Sequence, residues 1–95
     1  MKKIGKFFYE KSSRKDKKLM VRVEGKLIHF GNPLYGHFKD KTGIWKNLDH
    51  NDPKRRENYL TRSGGIKNKK GELTKNNKES SNYYSRTFLW SCDKL

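Results

Sequence analysis

The chain has 95 residues, 31% of them hydrophobic and 36% charged, with a formal net charge of +14. That describes one small domain with tails, whose modest core leaves stability marginal unless a partner assists. A single cysteine, Cys92, excludes an intramolecular disulfide and a cysteine-rich zinc site. No apolar run nears the roughly 20 residues of a membrane span.

The N-terminus, Met1 to Phe8, begins basic but lacks the apolar stretch of a signal peptide, so a soluble, intracellular chain is expected. Lys6-Phe7-Phe8-Tyr9-Glu10-Lys11 has strand propensity. The charged run from Ser12 to Lys17 suits a connection. Lys18–Val23 and Lys26–Phe30 then flank Glu24-Gly25, an X-Gly turn between two strand-like runs, which is a β-hairpin signal. Alternation puts Leu19, Val21 and Val23 on one face and Met20 and Arg22 on the other.

Gly31-Asn32-Pro33 turns the chain into residues 34–51, where Leu34, Tyr35, Phe38, Ile44, Trp45 and Leu48 are scattered without a period. This predicts an irregular segment whose aromatic side chains pack on the sheet, with room for a short element. Asp52-Pro53 opens the best-specified helix of the chain: an N-cap carboxylate, then proline at the first helical position. Gly64 is expected to close it in the left-handed conformation. Lys54, Arg55, Arg56 and Arg62 make the helix basic, with Tyr59 and Leu60 as its anchors to a core. Residues 67–79 are polar and lysine- and asparagine-rich, the composition of an open loop, with Lys70-Gly71 as a candidate tight turn. A serine cap with Tyr84 and Phe88 four residues apart predicts a second short helix, docked on the hairpin.

The expected fold is therefore α+β: a small three-stranded antiparallel β-meander, an irregular aromatic segment and two short helices. It forms a single domain over 1–95, ordered at about 6–66 and 80–90, with 67–79 as a basic polar loop.

The chemistry-bearing residues are sparse. His29, His37 and His50 stand near Asp40, Asp49 and Asp52. Asp49-His50-Asn51-Asp52 has the outline of a metal-dependent nuclease motif. However, the following helix supplies no histidine, and Asn58 is its only polar partner. Turn and cap roles for the two acids, with His50 bonding locally, are the preferred reading. Cys92 is a weak candidate nucleophile, and no phosphate-cradling glycine loop, nucleophile elbow or paired carboxylates occur. No catalytic residue, metal ligand or cofactor is assigned.

The positive signal is charge beside aromatics. Lys54, Arg55, Arg56 and Arg62, together with Arg14, Lys15, Lys17 and Lys18, are the candidate contacts to a polyanion or an acidic partner. Tyr83, Tyr84, Phe88 and Trp90 are the candidate packing residues against that partner. No base-reading motif is present, so any nucleic-acid binding should be independent of sequence.

One resemblance adds a setting. Gly25-Lys26-Leu27-Ile28-His29-Phe30-Gly31, Tyr35, Asp40 and Leu48-Asp49-His50-Asn51-Asp52 lead into Arg55-Arg56-x-x-Tyr59-x-x-Arg62, then Ser85-x-x-x-Leu89-Trp90. Over roughly residues 20–90 this resembles small basic proteins encoded by large eukaryotic double-stranded DNA viruses, the giant-virus and iridovirus-like lineage. Members often have Arg-His where this chain has Arg62-Ser63, so no role for that histidine carries over. The resemblance implies a virion-associated protein and supplies no reaction. The leading expectation is a non-enzymatic minor capsid component, bridging anionic surfaces of capsid proteins or of capsid and membrane. The alternative is a sequence-independent DNA-condensing core protein.

Overall fold

Strand-forming residues crowd the first third of the chain, and the computed structural model, which describes residues 1–91, folds them into one antiparallel sheet. Its strands are β1 (Lys2–Ile4), β2 (Phe7–Lys11), β3 (Leu19–Val23) and β4 (Lys26–Phe30), in sheet order β1-β2-β3-β4. The meander thus has four strands where three were expected. Two lysines and an isoleucine carry little strand signal of their own. They become a strand because Gly5, at φ +56°, turns the chain so that Lys3 pairs with Phe8 and Ile4 with Phe7. At the expected hairpin, Glu24 and Gly25 both have positive φ, +49° and +80°, the pairing that matches the twist of adjacent strands.

One face of the sheet is the core. Phe7, Tyr9, Leu19, Val21 and Phe30 are buried there against Tyr84, Phe88 and Leu89 of helix α2 (Ser81–Leu89). The rings meet edge-on or tilted, as Phe7 and Tyr84 do at 5.6 Å and Phe30 and Phe88 at 5.4 Å. Such pairs add about 0.5–1.5 kcal/mol each beyond their buried area. Ser80 caps α2 by accepting from the amide of Asn82, as expected. On the opposite face Arg22 is exposed, while Met20 is covered because Ser12 and Ser13 fold over it and His29.

The segment between sheet and first helix is irregular and contains one 3-10 turn, Lys46–Leu48. Phe38 and Trp45 pack on the core as expected, but Tyr35 stays exposed, contrary to the expectation for the aromatic side chains here, and Leu34 and Ile44 are exposed beside it. The amides of Lys39 and Lys41 donate to the carbonyls of Leu89 and Phe88 and so tie the segment to the end of α2.

Helix α1 (Pro53–Ser63) starts as the sequence predicts, with Asp52 accepting from the amides of Lys54 and Arg55. Its end differs. Gly64 is right-handed, φ −68°, so a left-handed exit is not why glycine stands here. A Cβ would lie 2.9 Å from the Leu60 carbonyl oxygen and 3.5 Å from the Arg86 guanidinium, so close approach requires it.

Residues 67–79 are folded upon themselves, unlike the open loop that their composition predicts. Lys67 bridges Leu73, Gly71 turns the chain at φ +80°, and Asn68 Oδ1 accepts from the amides of Lys70 and Glu72. Buried Thr74 donates from its amide and hydroxyl to the Ile66 carbonyl. Side-chain bonds to the backbone give this segment a shape that its lack of apolar residues conceals.

Candidate anion-binding cleft

Lys18 immediately precedes β3, and its side chain is buried. Its Nζ donates to the Tyr35 carbonyl at 2.7 Å and meets His37 Nδ1 at 2.6 Å. Because Nδ1 accepts from the ammonium, His37 carries its proton on Nε2, which donates to Asp49 Oδ1 at 2.6 Å. The same carboxylate oxygen accepts from the Asp40 amide, and Asp40 in turn accepts from Thr42 and from the Trp45 amide. Lys18 is 2% exposed and His37 0%. Burial pulls the Lys18 ammonium down to about 8, against the opposing pull of Asp40 and then Asp49. Burial, and then the Lys18 charge, also lower His37, so its ring is neutral at pH 7. This line of lysine, imidazole and carboxylate pins residues 35–49 onto the sheet.

Above the Lys18 stem runs Gly31, at φ +80°, where a Cβ would lie 3.1 Å from Lys18 Cβ and 2.9 Å from Leu89 Cδ1. The gap between this turn, α1 and the end of α2 is a cleft of about 670 Å³. Arg55, Asn58 and Arg62 recur at three- and four-residue spacing on α1 and line it together, opposite Asn32 and Tyr35. The Tyr59 and Trp90 rings, stacked at 4.0 Å and 11°, form part of its wall. Arg62 lies 5.9 Å over the Tyr59 ring. Among the described residues, Lys18, Arg55 and Arg62 line this cleft and no acid does. A wider depression of about 820 Å³ over residues 68–79 mixes Lys69, Lys70 and Lys78 with Glu72 and Glu79, so its charges largely offset.

The structure divides the predicted contact residues. Lys54, Arg55 and Arg62 are exposed on α1, and Arg14 and Lys15 are exposed on the β2–β3 connection, with Lys17 half-buried. Lys18 is not a surface cation, since its burial commits it to the interior. Arg56 is also turned inward: it lies 5.5 Å over the Phe38 ring, and Nε and Nη2 donate to the carbonyls of Trp90 and Ser91. The proposed packing residues are corrected as well. Tyr84, Phe88 and Trp90 are buried in the chain's own core, and Tyr83 is half-buried against Tyr84. They complete this fold and are not presented to a neighbour.

His29 bonds Ser12 at 2.7 Å as a satisfied ring on a strand. His50 accepts the Asp52 amide at Nδ1 and packs on Trp90 and Phe38, which matches the local role expected for it. Among the described residues no group of three His, Cys, Asp or Glu side chains is placed to hold a metal ion. Cys92 lies outside the described residues. Sequence reading missed the Lys18–His37–Asp49 line, because a whole hairpin separates Lys18 from His37 and an irregular segment separates His37 from Asp49. The one hint was a lysine directly ahead of the Leu19-Met20-Val21 run.

Searches against models of known protein families, curated proteins and solved structures find no match to this chain. Among the described residues no helix is long and apolar enough to cross a membrane.

Proposed function

We propose that this chain is a non-enzymatic structural protein that binds nucleic acid through its phosphate backbone, independently of sequence. Its setting would be the particle of a large double-stranded DNA virus. The observation carrying the reading is the cleft: two exposed arginines and a polar Asn58 on one helix face, and no lining acid among the described residues, in a chain of charge +14. Arginine grips phosphate oxygens bidentately, and the sequence carries no base-reading motif. The Lys18–His37–Asp49 line supports a structural role, since its polar ends are engaged inside the fold. The viral setting rests on the sequence resemblance.

Capsid bridging is the second reading. It has one observation in its favour: Leu34 and Tyr35, 86% and 67% exposed, stand as an apolar rim beside the cleft. Its proposed inserting aromatics, however, are used internally.

The deciding measurement is affinity for a random-sequence duplex as salt is varied. The logarithm of the binding constant should fall linearly with the logarithm of salt, and Arg55→Glu with Arg62→Glu should flatten that slope. An unchanged slope would show that the cleft does not bind DNA. If the chain ignores DNA yet remains with the shell when particles are stripped in stages, capsid bridging replaces this reading.

A further inference from the structure

The helices cover only one face of the sheet. On the other, the pairing register aligns Lys3, Phe8, Arg22 and Leu27 in a single row across all four strands. Phe8 is 46% exposed and Leu27 47%, and Lys3 and Arg22 are exposed beside them. Lys3 Nζ lies 5.7 Å from the Phe8 ring centroid. The neighbouring row, Glu10, Met20 and His29, is bounded by the connection that carries Arg14 and Lys15, where Ser12 bonds His29 and Ser13 meets Met20. A flat aromatic ring thus stands between two cations in a row that itself contains no acid, while the margin mixes Arg14 and Lys15 with the exposed acids Glu10 and Asp16.

We propose that this open sheet face is a second nucleic-acid site, specific for single strands. A base stacks on Phe8 while Lys3 and Arg22 meet the phosphates on either side of it. The row spans three inter-strand gaps of about 4.8 Å, roughly 14 Å, enough for a short run of nucleotides. Stacking requires an exposed base face, which a duplex lacks, so Phe8 serves single strands alone. Charge favours this occupant over an apolar one, because burying the row under an apolar surface would desolvate Lys3 and Arg22 without a partner. The inference rests on the nucleic-acid reading above but uses the opposite side of the molecule from the α1 cleft. A chain with both sites holds one segment on each side.

The test is the affinity of a fluorescent oligothymidylate, and of a duplex of matched charge, at one fixed salt concentration. Phe8 is outside the core, so Phe8→Ala should keep the wild-type circular dichroism. It should weaken oligothymidylate by about 5- to 150-fold, the range for losing one stacked base, with little change on duplex. Phe8→Trp should retain binding and show fluorescence quenching on oligothymidylate beyond that of the wild type. An unchanged affinity in Phe8→Ala, an equal loss on both DNAs, or an unquenched Phe8→Trp would overturn the proposal. So would oligoglutamate displacing oligothymidylate at equal charge, since the face would then read charge alone. If duplex binding depends on Arg55 and Arg62 while Phe8 is silent, only this inference falls. If neither DNA binds, the reading of the chain as a nucleic-acid-binding protein falls with it.

Discussion

Arg56 and Arg86 cap each other's helices. Arg56, from α1, donates to the carbonyls of Trp90 and Ser91 just past the end of α2. Arg86, from α2, donates through Nη1 to the Leu60 carbonyl and to Ser63 Oγ at the end of α1. Each guanidinium therefore sits at a helix terminus whose orphan carbonyls and negative dipole end favour a cation. The two crossings, with the Tyr59–Ser85 bond between them, hold the helices together without a large apolar seam.

Arg86 is 8% exposed, so removing it leaves buried Ser63 Oγ without this donor and the Leu60 carbonyl with the Gly64 amide alone. Arg86→Met should lower unfolding free energy by about 3 kcal/mol, and half-buried Arg56→Met by about 1–2 kcal/mol. Urea denaturation with unchanged slope is the measurement. Arg86→Lys should recover only part of the loss, because an ammonium lacks the planar fork. A wild-type midpoint for Arg86→Met would show that the helices are held by something else.

Stability should climb on the alkaline side. Lys18 releases its proton at about 8 in the fold and at 10.5 when unfolded. Between those values the unfolded chain binds more protons, so unfolding free energy rises with pH, by about 2 kcal/mol from pH 8 to 10. Above 10 the trend reverses, because the Tyr84 phenol, pushed up to about 12 by burial, ionises more readily in the unfolded chain. Lys18→Met should abolish the rise, as thermal melts across this range would reveal.

The acid side has the opposite origin. His37, His29 and His50 all titrate below 6.5 in the fold, chiefly through burial. The unfolded chain therefore takes up their protons first, and the stability present above pH 6.5 is lost as pH falls below it. His37→Gln should flatten that decline. A decline of wild-type steepness in this variant would show that the other two rings dominate.

Gly31→Ala should destabilise by about 2–3 kcal/mol, since it combines a left-handed backbone with overpacking against Leu89 and the Lys18 stem. Gly25→Ala meets nothing within 4 Å and carries only the conformational cost, about 1 kcal/mol. Equal melting temperatures for the two variants would contradict this difference in packing.

Binding and folding should separate on α1. Arg55→Ala and Arg62→Ala change exposed side chains, so each should leave stability within about 0.5 kcal/mol. Each should also reduce the duplex salt slope by about 0.9 for every phosphate it no longer neutralises. Arg56→Ala should do the reverse, lowering stability and sparing the slope.

By itself the sequence determined what is set within a few residues. The Glu24-Gly25 turn, the Asp52-Pro53 helix start, the Ser80 cap and the strand alternation each depend on local backbone preference or on a side chain bonding its neighbours. Local information also identified which residues are cationic, though not which of them face water. Only the tertiary structure decided that. Lys54, Arg55 and Arg56 are consecutive, yet a helix turns each by about 100°, so Arg55 lines a cleft while Arg56 crosses to α2. Lys18, His37 and Asp49 come together because a long irregular segment folds back on the sheet, where a desolvated ammonium requires acceptors. Phe8 and Phe7 differ for the same kind of reason. The pleat sends adjacent side chains to opposite faces, and only the docking of α2 settles which face is covered.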